Sequence, residues 1–409
     1  MTGWLGGAPG DVALALDGDT LTYAQLARVV SETSLSEGPG PVGCPVGTHP
    51  LTMLTTVLAA LERGRAVLVG GDAADAAAIA GRLPAGTELA LRTSGSSDAA
   101  GEGRVVARTN DSWLASAAPL AELTGLTAAD RVAVTAPLHV SMQLYAALHA
   151  LWLGASVSDR LEDATAAHVT PTRLARLLDG EAVPRTAVVA GGAMSERLAA
   201  RATARGIRLI EYYGAAELSF VAAGESARLA PFPGVEVALR PATTGEELWA
   251  RSPYLALGVV GGGMLRRDED GFATVGDFAE RTPGGELRVL GRGDAAITTA
   301  GATVIAEDVE SRLASLPGVA SAAVVGEPHE LLGERIVAVV ELADGADLDG
   351  IVTAARATLT SVELPRRWVV ATVPRTASGK VARGRLRETI ASVALGAGHP
   401  LLVDAGSAR

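Results

Sequence analysis

Through the middle of this chain, short apolar runs alternate with helix-length segments, and that alternation restricts the fold more than any other feature. The runs Ala66–Val69, Val132–Thr135, Thr186–Ala190, Arg208–Glu211 and Val235–Leu239 are of strand length. The stretches Leu51–Glu62, Ala74–Leu83, Asp111–Ala121, Thr172–Leu178 and Met194–Arg205 read as helices. Runs apolar on both faces suit strands covered on both sides, and their alternation with helices builds a largely parallel, buried sheet. Ahead of this block, Val12–Leu16 and Leu21-Thr22-Tyr23 flank Asp17-Gly18-Asp19, a step that closes a hairpin. A helix over Ala24–Val30 follows, and residues 31–50 read as loop.

After Gly291-Arg292-Gly293-Asp294 the order of elements changes. Helix Ala306–Ser315, strands Val319–Gly326 and Arg335–Leu342, helix Asp349–Leu359 and strand Trp368–Val373 describe a compact α+β unit. The expected fold is therefore α/β in two domains. A large N-terminal domain of α/β subdomains with mainly parallel sheets spans residues 1–293, and a small α+β domain spans residues 294–409. A length of 409 residues agrees with more than one domain at roughly 100–200 residues each.

Composition excludes several classes. A net charge of −11 argues against a nucleic-acid or anionic-membrane surface, while leaving room for an isolated anion pocket. One cysteine, Cys44, cannot form an internal disulfide, which suits a reducing cytoplasm. It reads as filler in a Gly/Pro-rich loop. The start Met1-Thr2-Gly3-Trp4 carries no basic region of the secretory kind. Val132–Ser158 holds no Asp, Glu, Lys or Arg, but Pro137, His139, Gln143 and His149 break it into strand, helix and strand. It reads as protein core, with no membrane span.

Lys380 is the only lysine, against 34 arginines. An ammonium is a compact point charge on a flexible stem, whereas a guanidinium is a rigid planar fork. A site that places one cation on a moving oxyanion would resist the exchange. Upstream, Leu91-Arg92-Thr93-Ser94-Gly95-Ser96-Ser97-Asp98 joins an apolar strand to a hydroxyl-rich loop able to hold phosphate oxygens. Gly191-Gly192-Ala193 follows a strand and lets a ring or phosphate approach the backbone. Glu211-Tyr212-Tyr213-Gly214-Ala215-Ala216-Glu217 offers an aromatic face and a carboxylate suited to Mg2+. Asp277, in Thr274-Val275-Gly276-Asp277, can accept two hydrogen bonds from a ribose diol, and Arg292 follows. Singly, each of these also fits an ordinary turn. Their order, with Lys380 last, does not.

The ordered set resembles the adenylate-forming superfamily of acyl-CoA synthetases, peptide-synthetase adenylation domains and luciferases. The likeness runs from Leu21-Thr22-Tyr23-Ala24-Gln25-Leu26 to Ser378-Gly379-Lys380. It implies a phosphate loop at Thr93–Ser97, an adenine and Mg2+ motif at Tyr213–Glu217, and a ribose motif at Thr274–Asp277. It further implies a hinge at Asp294 with the Gly301 loop beyond it, and a catalytic lysine at Lys380 on a mobile C-terminal domain. The implied reaction joins a carboxylic acid to ATP, giving an acyl-adenylate and pyrophosphate, and then transfers the acyl group to CoA. The resemblance implies a small-molecule acid, ATP, Mg2+ and CoA as partners, in a monomer or homodimer.

The chain departs from the family pattern in places. The phosphate loop continues as Asp98-Ala99-Ala100-Gly101-Glu102-Gly103-Arg104, so Arg104 stands where a lysine is usual. Ala216 replaces the threonine before the motif's glutamate. The interval from Val69 to Thr93 is short, which trims the first subdomain. Ala136-Pro137-Leu138-His139-Val140-Ser141 lacks the aspartate that holds an amino group, which disfavours amino acids as substrate. His139 fits either the acid pocket or a core position. Met142–Leu151 is similar to small bacterial acyl-CoA synthetases, and Gly291–Val309 to actinobacterial o-succinylbenzoate–CoA ligases. Two other readings follow from these residues: an enzyme that loads an acyl carrier protein or another nucleophile, and a degenerate protein that binds acyl-adenylate without turnover.

Overall fold

Asp17 and Gly18 both take positive φ, 52° and 85°, and form the two-residue loop between β1 (Val12–Leu16) and β2 (Asp19–Thr22). Two consecutive left-handed residues match the twist of a hairpin, so the Asp-Gly step sets the register here. The chain then enters α1 (Tyr23–Glu32) through a reciprocal cap. The Thr22 hydroxyl accepts from Gln25 N, and the Gln25 side chain accepts from Thr22 N. The computed structural model describes residues 3–93, 104–192, 194–225, 228–242, 245–261, 265–292, 296–299, 302–329, 332–376, 379–395 and 402–404.

Four sheets carry the described chain. The first gathers β1 and β2 with β7 (Arg131–Ala133), β8 (Ser156–Ser158), β9 (Ala166–Val169), β10 (Thr186–Val189), β11 (Arg208–Ala215), β12 (Ser219–Glu225) and β13 (Ala230–Pro231). Its order is β13-β12-β11-β10-β9-β7-β8-β1-β2, parallel from β11 through β1 and antiparallel at both edges. The second contains β3 (Val42–Cys44), β4 (Val67–Val69), β5 (Leu89–Thr93), β6 (Arg104–Arg108) and β16 (Gly258–Val260). Its order is β16-β6-β5-β4-β3, with β3, β4 and β5 parallel. Helices α2 (Pro50–Glu62), α3 (Ala73–Ile79), α4 (Asn110–Leu114), α5 (Ala117–Thr124), α6 (Ser141–Leu153), α7 (Pro171–Leu177) and α8 (Glu196–Ala204) connect and cover these strands.

The third sheet is antiparallel throughout. It holds β14 (Glu236–Ala242), β15 (Gly245–Arg251), β17 (Arg266–Arg267), β18 (Ala273–Thr274), β19 (Asp277–Arg281) and β20 (Leu287–Arg292). The fourth combines β21 (Ala296–Thr299), β22 (Ala302–Ile305), β23 (Val319–His329), β24 (Gly333–Leu342), β25 (Arg367–Val370) and β26 (Leu402–Asp404). Helices α9 (Ala306–Ser315), α10 (Leu348–Thr358) and α11 (Arg383–Leu395) accompany it.

The principal core joins the first three sheets. Buried Leu14, Leu58, Leu148 and Val157 pack there with an aromatic chain in which Tyr145 meets Trp113 at 5.4 Å and Phe220 at 5.1 Å. The fourth sheet buries both faces by strand alternation. On β23, Ala322 and Val324 join Val309, Leu313 and Trp368, while Ala323 and Val325 join Val337, Leu386 and Ile390. Among the described residues no helix is long and apolar enough to cross a membrane.

The expected α/β class and a separate C-terminal unit with strands are present. Several boundaries differ for local reasons. The helix expected over Asp111–Ala121 divides at Ala115-Ser116, where the Ser116 hydroxyl donates to Trp113 O and meets the Tyr145 hydroxyl at 2.7 Å. Val235–Leu239 contributes to β14, an antiparallel strand, because its neighbour across the turn is β15 and no helix returns the chain. Cys44 lies at the end of strand β3, buried, where a loop was expected. The Asp294 boundary lies outside the described residues.

Candidate active site

Three parallel strands of the first sheet, β9, β10 and β11, end side by side, with Val169 opposite Val189 and Val189 opposite Glu211. The chain at or beyond each carboxyl end supplies one wall of a site: Thr170 after β9, Gly191-Gly192 after β10, and Tyr212 to Ala215 as the last residues of β11. Carboxyl ends of parallel strands are where open α/β sheets bind ligands.

The hairpin from β11 to β12 carries Glu217 at its tip. Gly214 is required, since a β-carbon there would lie 2.1 Å from Ser219 O. Leu218 N donates to Ala215 O to close the turn, and Ala256 N donates to Glu217 O. The Glu217 carboxylate is fully buried. Arg104 Nη2 stands 3.0 Å from Glu217 Oε1, and Arg104 Nε donates to Thr93 Oγ1 at 3.2 Å. Thr93 and Arg104 are also register partners across β5 and β6. The strand's two-residue period puts Arg108 on the same face as Arg104. Arg108 is completely buried, donates through Nη2 to Ala216 O at 2.9 Å, and lies over the Trp113 ring at 5.1 Å. Burial pulls its guanidinium down to about 9, while the Glu217 charge pushes the other way, so it stays charged at neutral pH.

The expected ribose residue sits near this hairpin. Asp277, buried at the start of β19, accepts from the Tyr213 hydroxyl at 2.5 Å and faces Arg292 in register. Gly276 takes φ 82° and its N–H donates to the buried Thr274 hydroxyl, which orients the strand entry.

Lys380 arrives from the far end of the chain. Its Cε lies so near Gly191 that a β-carbon at that glycine would be 3.1 Å away. A β-carbon on Gly379 would lie 2.9 Å from Thr170 Oγ1. Thr170 is buried and caps α7, its hydroxyl accepting from Arg173 N. Gly191 and Gly379 both take φ 86°, so neither position accepts a side chain without strain.

The structure thus brings together Thr93, Arg104 and Glu217; Tyr213, Gly214, Ala216 and Asp277; and Gly191, Gly192 and Lys380. His139 stands half-buried in the turn before α6, its pKa lowered by burial. No hydrogen bond among the described residues joins it to Glu217 or Tyr213. Ser94, Gly95, Ser96, Ser97, Asp98, Ala193, Asp294 and Gly301 lie outside the described residues. Of Arg292 only the backbone is described.

Thr170 and Arg108 were not among the expected residues. Arg-Val-Val-Ala-Arg, with two charges on one face of an otherwise apolar strand, was a readable sign of Arg108; nothing local marks Thr170.

Both Glu217 oxygens are buried, and neither accepts an aligned hydrogen bond among the described residues. That leaves acceptor capacity for a hard cation, and Mg2+ takes one or two carboxylates with phosphate and water completing its shell. Glu217 fits that role. No group of three His, Cys, Asp or Glu gathers among the described residues.

Comparison with known proteins shows several likenesses. Residues 308–380 match the AMP-binding enzyme C-terminal domain. An uncharacterized acyl–CoA ligase of Bacillus subtilis, YhfT, is 29% identical over 331 residues, 72% of this chain and 67% of that protein. A probable 2-succinylbenzoate–CoA ligase of Mycobacterium tuberculosis is 32% identical over 225 residues, 53% of this chain and 56% of that protein. The o-succinylbenzoate CoA synthetase (MenE) of Bacillus subtilis, in complex with its acyl-adenylate intermediate, has the same fold. Its TM-score is 0.79 at 20% identity, over 93% of this chain and 96% of that one.

These likenesses support the adenylate-forming superfamily. Here Lys380, carried between β25 and β26 of the fourth sheet, meets the first sheet at Gly191.

Proposed function

We propose that this chain is an AMP-forming acid–thiol ligase, which activates a carboxylic acid as acyl-adenylate and transfers the acyl group to CoA. The seating of Lys380 on Gly191, beside the strand ends that carry Tyr213 and Glu217, supports this reading most directly. As a carboxylate oxygen attacks the α-phosphorus, negative charge grows on the phosphate oxygens. Fixed cations aimed at that charge lower the barrier. Lys380 supplies the ammonium. Arg104, held by Glu217 and Thr93, takes the place of the phosphate-loop lysine together with Ser94, Gly95, Ser96 and Ser97. Bound Mg2+ would neutralise phosphate charge, with Glu217 as its carboxylate ligand.

Tyr213, Gly214 and Ala216, with Gly192 and Ala193, bind the adenine, and Asp277 with Arg292 binds the ribose. Asp294 is the hinge between residues 1–293 and 294–409. Rotation there withdraws Lys380 after adenylation and brings the Gly301 loop to the thiol, a gating motion of a known kind. His139 lines the acid pocket. The buried free thiol of Cys44 agrees with a cytoplasmic setting.

A panel of carboxylic acids in acid-dependent pyrophosphate–ATP exchange names the substrate. Lys380→Ala should abolish exchange while thioester formation from supplied acyl-adenylate largely survives. Exchange that persists in this variant removes the role given to Lys380. Offering CoA and an acyl carrier protein side by side identifies the acceptor.

A further inference from the structure

Among its described residues, the turn that carries Lys380 is held by a short set of backbone bonds. Thr376 N donates to Lys380 O, Gly379 N to Thr376 O, and Ala382 N to Pro374 O, each at 2.8 Å, and Arg375 pairs with Val381. A turn of this size needs side-chain anchors to hold one orientation. Two arginines supply them. On one flank, Arg375 Nη1 donates to Gly379 O at 3.0 Å and Nη2 to Ser321 Oγ at 2.7 Å, which ties the turn to β23. On the other flank, Arg383 Nη2 lies 2.9 Å from Glu307 Oε1 and donates to both Glu310 oxygens, at 3.0 and 3.1 Å. Glu310 Oε1 also accepts from Val324 N at 2.8 Å, so the same carboxylate bonds α9 to β23 and to the start of α11.

The clamp reaches back toward the large layers. Glu307 Oε2 lies where a β-carbon on Gly291 would come within 2.7 Å, against the last strand before Asp294. Burial lowers the Arg375 pKa, and the like charge of Arg176 on α7 adds to the lowering.

We propose that Arg375, Arg383 and Glu310 are positioning residues for Lys380: they set the turn's orientation so that the ammonium meets Gly191 when the two units close. None of the three touches a reacting atom. The inference rests on the adenylation role given to Lys380, and its tests separate the two. Arg375→Met and Glu310→Gln should each cut pyrophosphate–ATP exchange at least tenfold through kcat, with KM for ATP changed less than threefold. Thioester formation from supplied acyl-adenylate should keep at least half its rate, which also certifies that the variants fold. Arg375→Lys keeps the charge and one acceptor, and should fall between wild type and Arg375→Met. Unchanged exchange, or equal loss in both half-reactions, overturns the proposal. Lys380→Ala runs in parallel: if it retains exchange, the reading of Lys380 fails first and the clamp with it. If it loses exchange while Arg375→Met and Glu310→Gln do not, the clamp alone is wrong.

Discussion

Lys380 Cε and Gly191 are packed so that the glycine's missing side chain is the space the lysine occupies. The contact joins the chain's only lysine ammonium to the carboxyl end of a central parallel strand.

Gly191→Ala puts a methyl into that space and a β-carbon on a residue at φ 86°. The backbone penalty is about 1–2 kcal/mol. Exchange activity should fall by one to two orders of magnitude, beyond what a melting curve explains, while thioester formation changes little. A variant that melts lower yet exchanges normally would show that the contact does not matter to chemistry.

Glu217→Ala leaves Arg104 and Arg108 as buried cations without their carboxylate. Removing one partner of such an array costs about 3–5 kcal/mol, because the remaining charges stay desolvated. Denaturant unfolding should detect this directly. Arg104→Met should cost less stability, since Arg108 remains beside Glu217, but should weaken ATP binding.

His149 and His168 are buried and held neutral, with pKa values pushed down to about 4 and about 3 by desolvation. Unfolding returns both toward 6.5, so the unfolded chain binds more protons as pH drops below that value. Their contribution to stability is whole above about 6.5 and is lost on acidification toward 4, by up to about 2.7 kcal/mol per pH unit for the pair. His168→Leu should flatten this limb in pH-dependent urea melts by half. An unchanged slope would show that His168 titrates normally.

Glu310 has the opposite sign. Burial raises its carboxyl to about 7, with Arg383 pulling it down and Glu307 adding to the rise. Its favourable contribution is full below about 4.5 and fades as pH climbs through 7. Glu310→Gln should remove that fade and leave stability more level between pH 5 and 8.

A single lysine makes a single probe. Reductive methylation with ¹³C should give one side-chain resonance besides the terminal amine. Its titration midpoint should rise when ATP binds, as phosphate favours the ammonium. A midpoint insensitive to ATP would place Lys380 away from the nucleotide.

What sequence shows and hides follows from range. Glu217, Asp277 and Lys380 announce themselves in runs of four to seven residues, and the Asp-Gly hairpin and the buried strands are equally local. Thr170 is an ordinary helix cap until Gly379 arrives from the other end of the chain. Glu310 reads as one acid on a solvated helix, and only the meeting of α9, β23 and α11 buries it. The antiparallel β14 was misplaced because an apolar run does not say which way its partner points. Cys44 was assigned to loop because three strand residues among glycines and prolines are too few to show a period.

The edge of the first sheet carries a lesson about synthesis. Leu14 on β1 pairs with Val157 on β8, while β6, already paired with β5, gains its other neighbour from Gly258–Val260. The amino-terminal hairpin therefore leaves the ribosome long before the strand it must join, and its apolar face waits for most of the large layers to be translated. At roughly 5–20 residues per second that interval is on the order of ten seconds or more. Chains truncated before Ser156 should expose Leu14 and Leu16 and aggregate, which makes this hairpin the segment a chaperone would need to shield first.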